Sequence, residues 1–205
     1  MKDIVLKTLG NKSSLIILQK LSHTATPSSG RDLAKQTGLS HQTVHQILQH
    51  LAESELVSIE KIGASFIYKL NKEHLFIQKC ILPLFDFSGH WIEMVGQYYM
   101  ERLSPKPISI IVFGSLAKEK PKRTSDLDIL FVYRDNEFNE QTLSFINQFG
   151  SQIFRMCGYQ PVPIVAKLSD FKQQAKEGEG LMRTIVREGQ IISGALMSEL
   201  ITYDT

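Results

Sequence analysis

The chain predicts an α+β protein of two domains, and two stretches of sequence carry that prediction. Between residues 40 and 70, apolar residues at helical spacing give way to apolar residues in alternation, as a helix followed by a hairpin requires. Between residues 108 and 133, the run ISIIVFGSLAKEKPKRTSDLDILFVY reads as a strand, a Gly-Ser turn, a basic loop and a second strand. The first pattern closes a small N-terminal domain, residues 1–74, and the second opens an α/β domain, residues 89–205. An apolar helix over 75–88 connects them.

From the N-terminus, an apolar-periodic helix is predicted over residues 4–21, with Leu15, Ile16, Leu18 and Leu21 among its core positions. Ser28-Ser29-Gly30 then leads into a short helix opened by Leu33 and Ala34, and Thr37-Gly38-Leu39 makes a turn. Ser40 is placed to cap the next helix, where its side-chain oxygen can accept from an orphan amide. Val44, Ile47, Leu48 and Leu51 form that helix's apolar face. After Leu56 the period changes to two: Val57, Ile59 and Lys61, a Gly63-Ala64-Ser65 turn, then Phe66, Tyr68 and Leu70.

Helix, helix, turn, helix and hairpin in this order resemble a winged helix-turn-helix domain of the kind found in small bacterial and archaeal regulators. The resemblance implies a recognition helix whose exposed positions are His41, Gln42, Thr43, His45, Gln46 and Gln49. Gln and Thr can read base edges in a major groove, and a helix N-terminus at Ser40 can meet a phosphate. The helix has no Lys or Arg; positive charge lies at Arg31, Lys35, Lys61 and Lys69, which suit backbone phosphates. DNA binding and protein docking by the same fold are both open. His41 and His45, four apart, lack a third metal ligand at a convincing spacing and read as polar face positions.

The connecting segment LFIQKCILPLFDF is more apolar than a linker needs, which suits either a homodimer contact or burial within the chain. A helix over 89–103 then delivers the chain to the strand at Ile108. In the next strand, alternation puts Asp126 and Asp128 on one face while Leu127 and Ile129 pack behind it. Two adjacent carboxylates repel each other and call for a cation, and hard oxygen ligands suit Mg²⁺ or Mn²⁺. Gly114 lets backbone approach a phosphate, with Ser115 beside it, and Lys118, Lys120, Lys122 and Arg123 can counter the charge of a nucleoside triphosphate (NTP).

The run GSLAKEKPKRTSDLDILF resembles the signature of the DNA polymerase β-type nucleotidyltransferases, and most closely their minimal branch. The resemblance spans about residues 88–195. It implies an α/β core with a mixed sheet, and transfer of a nucleoside monophosphate from a triphosphate to an acceptor. Gly114 and Ser115 would grip the triphosphate, and Asp126 and Asp128 would hold the metal as the catalytic acids. A third carboxylate, usual in the family on a later strand, is missing from YQPVPIVAKLSDF, where Pro163 or Ile164 stands at the expected place. Asp170 follows too late in register, and Glu177 and Glu179 belong to a loop or helix start. Enzyme and catalytically impaired, nucleotide-sensing transcriptional regulator are therefore both open. A scaffold or antitoxin-like role is a third reading, disfavoured by the intact motif.

Beyond Asp128 the pattern predicts a helix over 137–156, a strand over 161–168, and a closing helix ending at Arg-Glu-Gly. In that helix Arg183 and Arg187 face either the triphosphate or solvent. A formal charge of +2, with 42% hydrophobic and 21% charged residues among 205, excludes a histone-like polycation. Cys80 and Cys157, the only cysteines, form no disulfide framework and read as buried thiols. Without a signal peptide or an apolar run long enough to span a bilayer, the chain reads as cytoplasmic, with no membrane partner.

Overall fold

The computed structural model describes residues 1–63, 65–118, 125–139, 141–176 and 180–202. The chain divides into two compact units, residues 1–89 and 90–205.

In the first unit the predicted opening helix is two helices, α1 (Lys2–Leu9) and α2 (Lys12–His23). The break has a local cause. Gly10 ends α1, and the Asn11 side chain accepts from the Ser14 amide at 3.1 Å, so an Asx cap restarts the helix. A two-residue strand, β1 (Ser28–Ser29), precedes α3 (Gly30–Thr37); Gly38, at φ +70°, terminates α3 in the left-handed conformation. Ser40 caps α4 (His41–Glu53) as predicted, accepting from the Thr43 amide at 3.1 Å. Strands β2 (Val57–Ile62) and β3 (Ser65–Leu70) form the hairpin, and β1 adds to it in the order β1-β3-β2. Ile17, Leu18, Leu33, Val44, Leu48, Leu51 and Leu56 make the core.

The two helices predicted over 75–103 are one continuous helical stretch. A π-helical turn, Ile77–Ile81, passes directly into α5 (Leu82–Arg102). The π turn ends two residues before Pro83, which has no amide to continue an α ladder. Phe76, Ile77 and Ile81 are buried in the first unit's core, whereas Leu75, Leu84 and Phe87 are exposed. Cys80 is exposed, contrary to the buried thiol predicted, because the helix turns it away from Ile77 and Ile81. Cys157 is half-buried and donates to the Ile153 carbonyl.

In the second unit a four-stranded sheet has the order β6-β5-β4-β7, from β4 (Ser109–Val112), β5 (Leu127–Tyr133), β6 (Pro161–Lys167) and β7 (Gln190–Gly194). The β5–β6 pair is parallel and the others antiparallel, so the sheet is mixed. A short helix, α6 (Gly114–Ala117), follows β4. The predicted 137–156 helix is α7 (Thr142–Asn147) and α8 (Gly150–Cys157). Its start is displaced because Asn139 and Thr142 cap each other's backbone, and Gly150 punctuates its middle.

Leu127, Ile129, Phe131 and Tyr133 pack on one face with Ile92, Val95 and Tyr99 of α5, and with Ile146 and Ile153. Ile111, Leu130 and Val132 pack on the other with α9 (Leu168–Lys176), α10 (Leu181–Glu188) and α11 (Met197–Thr202). Helices on both faces explain why β5 reads as a nearly unbroken apolar run. Every residue of β5 is buried except Asp128.

At Gly96 a Cβ would stand 2.5 Å from the Ile192 carbonyl oxygen, so α5 lies hard against β7. Gly96→Ala should therefore destabilise the second unit. Forced backbone shifts cost about 1–3 kcal/mol, against a gain of about 1 kcal/mol in helix propensity. The check is a denaturation midpoint followed by the fluorescence of Trp91, the single tryptophan.

Candidate functional site

The Gly-Ser turn is shaped by what must lie on top of it. The chain leaves β4 through an extended Phe113, whose amide donates to the Asp128 carbonyl at 3.1 Å. Gly114 then takes φ +74°. Only glycine suits this point twice over: the dihedral is left-handed, and a Cβ would collide with the Asp128 carboxylate. Ser115 donates from its hydroxyl to the Ser125 hydroxyl at 3.0 Å, tying the turn to the residue before Asp126. Asp126 is exposed and Asp128 half-buried.

Burial pushes the Asp128 carboxyl above the ordinary carboxylate value, and the neighbouring Asp126 charge pushes it further. Both causes disfavour a second negative charge at this spot, as expected where a cation belongs. Among the described residues no group of three His, Cys, Asp or Glu side chains gathers to hold a metal. The donor set is thus two hard carboxylates. That set fits Mg²⁺, which commonly takes one or two carboxylates and completes its octahedron with water and substrate phosphate.

The β5–β6 register shows which β6 residues stand beside Asp128. In the parallel β5–β6 register, Asp128 lies beside Val162. Val162, at 41% exposure, is the residue alongside the carboxylate. Ile164 is the next residue on that face, and Pro163 points to the opposite one. Asp170, on α9, follows the far end of β6.

Lys118, just after α6, pairs with Glu188 at 2.6 Å, and Arg187 also bonds Glu188. Lys118 and then Arg187 hold the Glu188 carboxyl below the usual carboxylate range. Because β7 pairs Gln190 with Val112, Glu188 lies beside the end of β4, across it from the aspartates. Gly189 makes the approach possible: a Cβ there would lie 2.8 Å from Ile111 Cγ2. The sequence reading named Arg187 but missed Glu188. The only signal was an acid between an arginine and a glycine. Trp91 and Tyr159 stack at 5.4 Å, packed against the second unit's core. Arg123, Lys120, Lys122, Glu177 and Glu179 lie outside the described residues.

In the first unit, His41, Gln42, His45 and Gln46 are exposed along α4. Thr43 is half-buried, and its hydroxyl lies 2.8 Å from that of Ser40, so these two side chains serve the cap. Lys61 is exposed on β2. Among the described residues no helix is long and apolar enough to cross a membrane.

Residues 97–195 match a family model described as polymerase beta, nucleotidyltransferase. No curated protein matches the chain. Among solved structures, the chain is similar to an antimony-specific transcriptional repressor at 26% identity, covering 47% of this chain and 81% of that one, with a TM-score of 0.37. It is also similar to a homodimeric winged helix-turn-helix DNA-binding domain from Mycobacterium bovis, at 24% identity, covering 47% and 79%, TM-score 0.32. A toxin-antitoxin structure with AMP-PNP is similar at 15% identity, covering 53% and 80%, TM-score 0.38.

The Asp128 assignment has a consequence for stability. A carboxyl whose value is raised on folding destabilises the fold above its folded value, and that penalty vanishes below its unfolded one. Asp128→Asn should therefore raise the melting temperature at pH 7, with the difference from the parent disappearing as the pH falls below about 3.9. Adding Mg²⁺ at pH 7 should narrow the gap by stabilising the parent alone. An asparagine variant melting lower than the parent at neutral pH would contradict the assignment.

Proposed function

We propose that this chain, in which residues 97–195 form a polymerase β-type nucleotidyltransferase domain behind a winged helix-turn-helix, binds an Mg-NTP at the Gly114 turn and transfers its nucleoside monophosphate to an acceptor. The observation that carries this reading is the Asp128 carboxylate seated against Gly114, with Asp126 just before β5 and close enough to raise it. A phosphate approaching the bare glycine backbone would meet two acids ready to share a cation with it.

Asp126 and Asp128 would hold Mg²⁺ or Mn²⁺, and the chemistry such an ion supplies is neutralisation of charge on the transferred phosphoryl group. The Gly114–Ser115 turn would orient the triphosphate. Lys118, once released from Glu188, would meet its outer phosphates. In the transfer itself an acceptor oxygen bonds the α-phosphorus as the bridge to the β-phosphate breaks. Pyrophosphate leaves, and the acceptor's proton must go to a base. The winged helix would hold the protein on DNA, with Gln42 and Gln46 toward base edges and Lys61 toward phosphate.

A second reading is favoured by one observation: Val162, not an acid, flanks Asp128. Without a base on β6, the domain would bind Mg-NTP as an effector, and the protein would be a nucleotide-responsive transcriptional regulator. The two readings part in a label-transfer experiment. Each of the four labelled NTPs is offered with Mg²⁺ or Mn²⁺ to the protein itself, total RNA and cell lysate. Label on an acceptor with the parent, and none with the Asp126→Ala, Asp128→Ala variant, establishes the transferase. Nucleotide binding without transfer selects the regulator. The variant should lose about 100-fold or more in Mg²⁺-dependent NTP affinity, and unaltered affinity would refute the site.

The Lys118–Glu188 pair yields its own prediction. Triphosphate must compete with Glu188 for Lys118 and Arg187, so Glu188→Gln should tighten NTP binding about two- to fivefold, the scale of an exposed ion pair. The gain should shrink as salt rises. Isothermal titration calorimetry at two ionic strengths checks both statements.

A further inference from the structure

A cavity of about 420 Å³ opens in the first unit among the start of α3, the exposed face of α4 and strand β3. Its polar wall is Ser29, Arg31, His41, His45, Ser65 and Tyr68, and among the described residues no carboxylate lines it. The nearest acid in sequence, Asp32, is engaged by the Ser29 hydroxyl at 2.7 Å. Imidazole and guanidinium N–H groups and a phenolic O–H are donors, so the lining offers hydrogen bonds to an anion from three elements. The N-terminal end of α3 opens on the same space and adds its partial positive charge.

Tyr68 is the second, independent observation. It is only 6% exposed, and its hydroxyl has no hydrogen-bond partner among the described residues. Burial pushes that hydroxyl above its ordinary value, which keeps the proton on the oxygen. Its ring lies along Gly30, where a Cβ would be 3.8 Å from Tyr68 Cε2. The hydroxyl itself opens on the cavity, so an oxygen arriving there would replace water as its acceptor. The volume exceeds what a bare anion fills, and Phe66 and Leu48 give it an apolar side suited to a sugar.

We propose that this cavity seats one phosphate ester, held by Arg31, His41, His45 and the Tyr68 hydroxyl. The ester comes either from a nucleic-acid backbone or from a free nucleotide. The first source rests on the DNA-binding reading above; the second does not. The seat also assigns His41 and His45 to phosphate rather than to base edges.

The test uses the full chain with three probes: a mixed-sequence DNA duplex, a deoxynucleoside monophosphate without Mg²⁺, and inorganic phosphate. The readouts are the imidazole resonances of His41 and His45, assigned with His→Gln variants, and the salt dependence of duplex binding. For a backbone source, Arg31→Gln should lower the slope of log K against log salt by about 0.9. Tyr68→Phe should weaken binding about tenfold or more, as for a hydrogen bond to a charged group. Arg31 is exposed and Tyr68→Phe keeps the ring, and thermal melts confirm that both variants fold. If the duplex does not bind, the DNA reading falls. The seat then stands only if the monophosphate shifts both imidazoles in the parent and not in Arg31→Gln. Duplex binding with unchanged slope and affinity in both variants, or imidazoles that respond to no probe, overturns the proposal.

Discussion

The second unit is organised around a carboxylate held where a strand should be wholly apolar. Strand β5 is covered on both faces, and such strands cannot ordinarily carry an ionisable group. Asp128 escapes full burial because it stands at the start of β5, over a turn that has no side chain of its own. The constraint propagates outward. Gly114 must be glycine for both its dihedral and the space above it, Phe113 must bond back to Asp128, and Ser115 reaches across to Ser125. The Gly-Ser turn and the paired aspartates, ten residues apart in sequence, are thus one packed object.

Charge around that object is divided by the sheet. On one side of β4 lie two acids, where burial and then the Asp126 charge raise the Asp128 carboxyl; on the other an acid already shares two cations. Under the proposed function a triphosphate with its metal would satisfy both sides at once, the cation meeting the aspartates and the phosphates meeting Lys118 and Arg187. The first unit follows a different rule. Its cavity gathers donors with no acid among them, which is stable only because the wall is neutral or cationic and open to water or ligand.

Much of this was legible in the primary structure because it depends on local rules. Capping by Ser40, the left-handed stop at Gly38 and the switch from helical to alternating period after Leu56 need only spacing and residue type. The errors are also local in origin. Asn11 and Gly150 are capping and breaking residues inside otherwise helical patterns, and they outweigh the apolar period there. The exposed Cys80 was lost to an apolar neighbourhood in sequence that the helix turns away from. The third-acid position depended on register, which no single strand contains: only pairing with β5 sets Val162, rather than Pro163 or Ile164, beside Asp128.

The sequence by itself determined the two-domain order, the mixed character of the elements and the placing of a Gly-Ser turn before an Asp-x-Asp strand start, since these rest on backbone dihedrals and side-chain period. Tertiary structure alone decided that Glu188 would meet Lys118 seventy residues away, and that Arg31, His41, His45 and Tyr68 would line one cavity. Those meetings depend on the order in which strands pair and helices pack. That order is set by burying apolar surface across the whole unit, and it leaves no mark on the spacing of the polar residues it brings together.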